Sequence, residues 1–179
     1  MSTPEQAIPL SGGGVMLIDA SDIALVAPYT WVRMTVRNTA YATAWGDGRS
    51  VLAHRVIINA PPGSRVDHVN RDGLDNRRRN LRFATPGQNA ANAGPRGCTG
   101  FKGVYKERRG RFSSKIEGGG WPKQFLGCFD TPDAAARAYD AAAFKRWGEF
   151  AYLNFPEDAR GASCMRSLLS AHWGTAAGL

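Results

Sequence analysis

Hydrophobic and polar positions alternate through the first third of the chain, and this alternation predicts a strand-rich unit. A short apolar run, residues 15–18, follows a glycine turn and is typical of a strand. Alternation over Trp31–Val36 and again over Tyr41–Trp45 predicts two more strands, and "GDG" at Gly46–Gly48 is a strong turn signal. Val51–Ile58 is expected to begin as a strand and to continue as a helix that ends at "APPG".

The next segment predicts the order strand, loop, strand, short helix. "RVDHV" is short and partly β-branched, "NRDGLDN" is a turn with a glycine, and "LRFAT" can form the second strand. In "TPGQNAANAG", Thr85 is the expected N-cap and Pro86 the first helical residue. "AGPRGCTG", residues 93–100, is rich in Gly and Pro. We therefore predict a first domain over residues 1–95, with a strand-rich part at 10–58 and the strand–loop–strand–helix motif at 64–93.

The second predicted domain, residues 96–156, has three short strands followed by one helix. In that helix Thr131 is the expected N-cap, Pro132 occupies the first turn, and Gly148 ends it. Its alanine-rich face allows close packing on a sheet, and the tail, residues 157–179, is expected to be a short helix with a frayed end. The strands are predicted at Gly103–Lys106, Arg111–Ile116 and Lys123–Phe129. The predicted fold class is therefore α+β.

The chemistry of the motif is that of phosphodiester hydrolysis, which needs a base, a cation and donors that hold the backbone. His68 can be the base, because imidazole titrates near neutrality. Asp67 offers a hard oxygen ligand for Mg²⁺ or Mn²⁺, and Asn89 on the short helix is a second candidate ligand. Asp67 and His68 can face one phosphate only at a bulge or a strand end. Asn80 is expected to tie the loop through its amide. The alternative is a solvated, turn-rich basic loop.

The charge of the chain indicates a polyanionic partner. The formal net charge is +8 and the isoelectric point is near 9.9, values that usually accompany nucleic-acid binding. Most of this excess lies in the second predicted domain, where basic residues are mixed with aromatic ones. We find neither an apolar run of the ~20 residues that span a bilayer nor a signal peptide, so we expect no membrane partner and a cytoplasmic location. Cys98, Cys128 and Cys164 are widely spaced and are expected to be free thiols.

The first domain resembles the HNH homing-endonuclease family, in the variant whose third motif position is asparagine. The resemblance covers roughly residues 10–93 and lies in "AHRVI", "VDHVNRDGLDNRRRNLR" and "QNAAN". It implies a ββα-metal fold in which Asp67 and Asn89 bind a divalent metal, His68 activates water and Asn80 braces the loop. His54 in "AHR" matches a recurrent family histidine, with either a structural or a catalytic role. Arginines that could contact phosphates are Arg77, Arg78, Arg79 and Arg82, with Arg77 alternatively an internal brace to Asp75.

The second domain resembles the APETALA2-type, or ethylene-response-factor, DNA-binding family over about residues 99–156. The resemblance lies in "GFKGVYKERRGRFSSKI", "KQFLGCFDTPDAAARAYDAAAFKRWGE" and "AYLNFP". It implies a three-stranded antiparallel sheet on one helix, with the sheet in the major groove of DNA. Tyr105, Glu107 and Arg109 differ from the plant members, so the plant target sequence does not transfer. Candidate DNA contacts are Lys102, Tyr105, Lys106, Arg108, Arg109, Arg111, Ser113, Lys115 and Lys123.

Together these features predict a metal-dependent, site-directed DNA endonuclease of the phage or mobile-element type, acting in a bacterial or phage-infected cell. The expected partner is double-stranded DNA, bound by a monomer or a homodimer, and the expected cofactor is Mg²⁺ or Mn²⁺. One active site per chain is compatible with nicking or with double-strand cutting by a dimer. The alternatives are a sequence-specific DNA-binding regulator with a decayed nuclease domain and, less favoured, an RNA-binding protein.

Overall fold

Alternating polar and apolar residues form antiparallel hairpins in the computed structural model, which describes residues 4–36, 38–46 and 48–158. The chain divides into two compact units, Met1–Asn89 and Ala90–Leu179, and the division falls inside a helix. Several antiparallel sheets and few helices make up the fold, which confirms the α+β class. Cys164 and most of the predicted tail helix lie outside the described residues.

The first unit contains three small sheets, with strand orders β1-β2, β3-β4-β5 and β6-β7. Its elements are β1 (Glu5–Pro9), β2 (Val15–Asp19), α1 (Ile23–Val26), β3 (Val32–Val36), β4 (Thr39–Gly46), β5 (Arg49–Leu52), α2 (Ala53–Ile57), β6 (Val66–His68), β7 (Leu81–Phe83) and α3 (Pro86–Asn92).

Strand β4 shows why the first unit folds around one core. Its small residues Ala42 and Ala44 are buried against the core, whereas Tyr41 and Thr43 lie on the opposite face. The core also contains Met16 and Ile18 from β2, Trp31 and Ile57. Burying these apolar side chains is the main favourable contribution to the stability of such a unit.

Strand β1 was not predicted from the sequence. The strand contains Glu5 and Pro9 and directly follows Pro4, and these residues weaken the strand pattern. The strand nevertheless pairs with β2 in an unbroken antiparallel register from Glu5↔Asp19 to Pro9↔Val15. Backbone bonds also join β2 to the loop of the motif, since Leu17 N–H donates to Leu74 and Asn76 N–H donates to Leu17. The N-terminal hairpin therefore supports the motif.

The second unit is a three-stranded antiparallel sheet, in the order β10-β9-β8, packed on one long helix. Its elements are β8 (Val104–Lys106), β9 (Phe112–Gly118), β10 (Trp121–Phe129) and α4 (Pro132–Trp147). Thr131 caps the helix by accepting from the N–H of Ala134, and Gly148 ends it at φ +54°. Buried Ala135, Tyr139 and Ala143 lie on the face of α4 that meets the sheet.

No helix among the described residues is both long enough and apolar enough to cross a membrane.

Candidate active site

The strand pair β6–β7 carries the aspartate and the histidine of the motif. Its register, without a bulge, pairs Asp67 with Arg82 and His68 with Leu81. Because neighbouring strand residues point to opposite faces, Asp67 shares a face with Arg82 and His68 shares one with Leu81. His68 is the last residue of β6. Of the two geometries that could direct both side chains to one phosphate, the strand end is therefore present and the bulge is not.

Three aromatic rings from three different elements pack together, those of Tyr41, His54 and His68. The ring centroids of His68 and His54 are 5.0 Å apart, with an interplanar angle of 88°. The ring of Tyr41 lies 6.0 Å from each imidazole. Both histidines are buried, and they belong to α2 and β6 while Tyr41 belongs to β4. The fold therefore surrounds His68 with packed rings, which restricts the orientation of its imidazole.

Burial keeps both imidazoles uncharged at neutral pH. Desolvation lowers the pKa of His68 below 6.5, although the hydrogen bond to the side-chain oxygen of Asn76 and the charge of Asp67 act in the opposite direction. Desolvation, and then electrostatic interaction with His68 and Arg55, lowers the pKa of His54 to about 3. An uncharged imidazole can accept a proton, so His68 has the protonation state that a general base requires. His54 is an uncharged packing partner of His68.

Asn76 is a contact of His68 that the sequence analysis did not identify. Its side chain is fully buried, and its Oδ1 lies 3.2 Å from Nε2 of His68. In the sequence it stands in an ordinary Asp–Asn turn, and the only signal is a polar residue shortly after a glycine, which is common in turns. The contact depends on β2, far away in the chain, and could not be derived from local pattern.

Asp67 forms a buried ion pair. Nε and Nη2 of Arg82 donate to Oδ2 of Asp67 at 2.9 and 2.8 Å. Only 14% of the Arg82 side chain and 6% of the Asp67 side chain are exposed. Both donors converge on one carboxylate oxygen, so Arg82 fixes the orientation of the carboxylate. Two residues assigned separate roles from the sequence are therefore a single unit in the structure.

The loop between β6 and β7 is held together by Asn80. Its Nδ2 donates to the carbonyl oxygen of Asp75 at 2.7 Å, and its Oδ1 accepts from the backbone N–H of Asn70 at 2.9 Å. The backbone carbonyl of Asn80 also accepts from Val69 N–H. These bonds of the Asn80 side chain and backbone join both sides of the loop next to His68.

The arginines between His68 and β7 make ion pairs with acids of the same unit. Arg77 donates to both oxygens of Asp75. Burial alone would raise the pKa of Asp75, but the hydrogen bonds and the charge of Arg77 outweigh burial and lower that pKa. Arg78 donates to both oxygens of Asp22 at 2.8–3.0 Å. Arg77 and Arg79 both contact Glu5 of β1. Arg77 is thus a brace to Asp75, and the arginine run is tied to the N-terminal hairpin.

Asn89 lies on α3, whose start is fixed by a capping box. Gln88 N–H donates to the hydroxyl of Thr85, and the side chain of Gln88 accepts from Thr85 N–H at 2.8 Å. Pro86 is the first residue of the helix, as predicted. The chain order β6, loop, β7, α3 thus carries Asp67, His68 and Asn89 on consecutive elements.

Asp67 and Asn89 supply oxygen donors only, the type that Mg²⁺ and Mn²⁺ prefer. Among the residues that the structure describes, there is no cluster of three or more His, Cys, Asp or Glu side chains suited to a metal. A cation held by two protein oxygens keeps most of its coordination for water and phosphate, which is usual for Mg²⁺. The chemistry of this donor set therefore fits a weakly held magnesium or manganese ion.

The second unit presents a basic and aromatic sheet surface. The ring of Tyr105 is 41% exposed, and the ammonium groups of Lys115 and Lys123 lie 5.2 and 5.9 Å from its centroid. Hydrogen bonds from Ser113 and Lys115 hold the pKa of Glu107 below its usual range, so one carboxylate shares this surface. Other exposed members of the predicted DNA-binding set are Lys106, Arg108, Arg109 and Arg111.

Two residues of that predicted set do not belong to the exposed surface. Ser113 is fully buried, and its hydroxyl donates to Glu107 at 2.6 Å. Lys102 donates from Nζ to backbone carbonyls of Ala90 and Ala91 at the end of α3, a favourable position for a cation near a helix C-terminus. Conversely, Trp121 and Phe125 are 61% and 59% exposed on β10 but were not among the predicted DNA contacts.

Comparisons with known proteins find two kinds of relative. The chain is 29% identical over 136 residues to an uncharacterized HNH endonuclease of Acanthamoeba polyphaga mimivirus. The matched region covers 73% of this chain and 69% of that protein. It is 43% identical over 58 residues to an ethylene-responsive transcription factor of Arabidopsis thaliana, covering 32% of each chain. A second such factor is 47% identical over 62 residues, or 34% of this chain and 24% of the relative.

The chain thus spans about a third or less of the length of these plant relatives. No family model matches the chain, and no solved structure matches it. The chain is therefore similar to an HNH endonuclease over most of its length and to ethylene-responsive transcription factors over about a third of it.

Proposed function

We propose that this chain is a metal-dependent DNA endonuclease of the HNH type that hydrolyses phosphodiester bonds in duplex DNA. The observation that carries the proposal is a buried, uncharged His68 at the end of β6, directly after Asp67 and beside a loop braced by Asn80. The similarity to a viral HNH endonuclease supports the same conclusion.

In this proposal His68 takes a proton from the attacking water. Its lowered pKa keeps it uncharged at neutral pH, and the rings of Tyr41 and His54 restrict its orientation. A base that is held in one orientation contributes more to the rate than a mobile one, because fewer of its conformations are unproductive.

Asp67 and Asn89 would hold the divalent metal, which when bound stabilises negative charge on the phosphate and on the leaving oxygen. Arg82 orients Asp67 for this role through its two hydrogen bonds to Oδ2. The family resemblance implies products with a 5′-phosphate and a 3′-hydroxyl. A monomer with one such site would nick duplex DNA, and a homodimer could cut both strands.

In the same proposal the second unit binds the duplex. The exposed Tyr105 with its two lysines and the cations of the β8–β9 turn support this role, as does the similarity to transcription factors. Because the two units share one chain, binding by the second raises the effective concentration of DNA at the first. Two weak interactions can then give tight binding.

A DNA-binding regulator without nuclease activity is the second candidate. One observation favours it: Asp67 is held in a buried ion pair with Arg82, and the neighbouring arginines are paired with carboxylates rather than exposed as a phosphate-binding surface. In that case the motif would serve as an internal brace of the first unit.

Incubation of supercoiled plasmid with the purified chain separates the two candidates. The chain is tested with Mg²⁺, Mn²⁺ or EDTA, beside His68→Ala and a matched His172→Ala variant, which removes a histidine from the tail, residues 157–179. The endonuclease predicts metal-dependent nicking that is lost in His68→Ala and retained in His172→Ala. Duplex binding, measured by gel shift, should be similar in all three proteins.

If the wild-type chain binds DNA but cleaves no substrate with either Mg²⁺ or Mn²⁺, the DNA-binding regulator is established instead.

A further inference from the structure

A fully buried asparagine, Asn76, lies between the N-terminal hairpin and the imidazole of His68. Its backbone N–H donates to the carbonyl oxygen of Leu17 on β2 at 2.7 Å. Its side chain faces His68, with Oδ1 3.2 Å from Nε2. The Asn76 amide is fully buried, and a buried polar group is retained where its hydrogen bonds are satisfied.

The orientation of the Asn76 amide follows from its other contacts. Nδ2 donates to the carbonyl oxygen of Leu74 at 3.3 Å and lies 4.0 Å from the sulfur of Met16. A carbonyl oxygen can only accept, so a flipped amide would place two oxygens against each other. The network therefore assigns the oxygen of Asn76 to the side of His68.

The amide orientation in turn determines the tautomer of His68. An uncharged imidazole carries one N–H, on either Nδ1 or Nε2. An amide oxygen opposite Nε2 stabilises only the tautomer in which Nε2 is protonated, and the lone pair then lies on Nδ1. The other tautomer would place the lone pair of Nε2 against the oxygen of Asn76, leaving a buried acceptor without a donor from the ring.

We propose that Asn76 is a positioning residue that holds His68 as the Nε2–H tautomer, so that Nδ1 is the nitrogen that accepts the proton of the attacking water. The tautomer is inferred from the hydrogen bonds of Asn76, whereas its use in DNA cleavage rests on the proposed endonuclease function. In this arrangement β2 contributes to the site without touching substrate, because it anchors Asn76 through Leu17.

Nuclear magnetic resonance of the imidazole nitrogens tests the tautomer directly. The full-length ¹⁵N-labelled chain is studied without metal or DNA, at a pH at which His68 is uncharged, and its signals are assigned by comparison with His68→Gln. Wild type should show a protonated Nε2 and an unprotonated Nδ1. The signals of His172 serve as an internal reference.

Two variants test whether Asn76 is the cause. Asn76→Leu removes the acceptor with little change in volume and should produce a mixture of tautomers. Asn76→Asp keeps an acceptor of the same shape, so the Nε2–H tautomer should persist and its proton signal should move downfield as the hydrogen bond strengthens. If Asn76→Leu does not fold, the shift in Asn76→Asp decides. A protonated Nδ1 in wild type, an unchanged tautomer in folded Asn76→Leu or an unmoved proton signal in Asn76→Asp would overturn the proposal.

Plasmid nicking then tests the use of the tautomer. Asn76→Leu should lower kcat by about 100-fold or more while KM for DNA is unchanged, since the wrong tautomer presents a proton where a lone pair is needed. Asn76→Asp should recover most of that loss. If wild type does not cleave DNA at all, the endonuclease proposal fails. The tautomer of His68 is still decided by the nuclear magnetic resonance experiment, which needs no cleavage. A parallel change in KM, without recovery in Asn76→Asp, would indicate a merely structural role.

Discussion

At the scale of single residues, the Asp67–Arg82 pair is a largely buried electrostatic contact of the first unit. Both side chains are largely buried, and Oδ2 of Asp67 accepts two hydrogen bonds from the guanidinium. Removing one partner of a buried pair leaves a charge without compensation, which costs far more than breaking a solvated pair. The Arg79–Glu5 pair is the natural comparison, because 58% of the Arg79 side chain and 45% of the Glu5 side chain are exposed.

We predict that Arg82→Leu lowers the free energy of unfolding by about 3 kcal/mol. Arg79→Leu should change it by less than about 1 kcal/mol, because water already solvates that pair. Urea unfolding followed by circular dichroism measures both. The double variant Asp67→Asn, Arg82→Leu should recover part of the loss, because the uncompensated carboxylate is gone. Equal losses in the two single variants would show that the Asp67–Arg82 contact is no stronger than a surface pair.

The sequence indicated candidate residues of the site and the Arg77–Asp75 pair, but not the partners of Asp67 and His68. Asp67, His68 and Asn80 could be selected because the resemblance lies in a contiguous stretch of chain. Asn76 could not be recognised as a contact of His68, and the ring of Tyr41 was taken only as part of a strand. Such contacts depend on how distant elements pack, and local alternation carries no information about that packing.

At the scale of elements, the loop between β6 and β7 touches β4 at a glycine. A Cβ at Gly73 would lie 2.4 Å from the carbonyl oxygen of Ala40 and 2.6 Å from the ring of Tyr41. The backbone there cannot move aside cheaply, because Asn80 and β2 hold the loop on either side. Only a residue without a side chain permits this approach, and Tyr41 transmits any displacement to His68.

We predict that Gly73→Ala lowers the free energy of unfolding by about 1–3 kcal/mol, the cost of overpacking. It should also slow any DNA nicking, because a displaced Tyr41 ring disturbs His68. The matched control is Gly97→Ala, where the nearest atom is 3.8 Å from the new Cβ, and its stability should change by no more than about 0.5 kcal/mol. Similar unfolding curves for the two variants would contradict the close approach at Gly73.

Element prediction was most accurate where local signals are strong. The helix α4 begins after the predicted N-cap Thr131 and ends before the predicted Gly148, because side-chain capping and a glycine at positive φ are local effects. The same holds for Thr85 and α3. Strand β1 was missed because its pairing with β2, rather than its own composition, makes it a strand.

At the scale of the whole molecule, the net charge of +8 is partly neutralised within the first unit and more accessible in the second. The arginines after His68 pair with Glu5, Asp22, Asp67 and Asp75. In the described part of the second unit, by contrast, Lys106 and Arg108 are exposed beside the β8–β9 turn, and no ion pair is found for either. Binding of a polyanion should therefore depend chiefly on the second unit.

The salt dependence of duplex binding tests this division of roles. Each phosphate that a protein neutralises releases counterions, so the logarithm of the association constant falls with the logarithm of the salt concentration in proportion to the number of contacts. We predict that the double variant Lys106→Ala, Arg108→Ala binds duplex DNA more weakly for every sequence and lowers the magnitude of that slope by about 1–2. The rate of cleavage at saturating DNA should be unchanged, since no residue of the first unit is altered.

Lys145→Ala is the control, because it removes one exposed charge from α4, the helix that covers the other face of the sheet. It should leave the slope nearly unchanged. An equal change of slope in Lys145→Ala would mean that the duplex responds to total charge rather than to the β8–β9 turn, and the second unit would then bind DNA without a defined face.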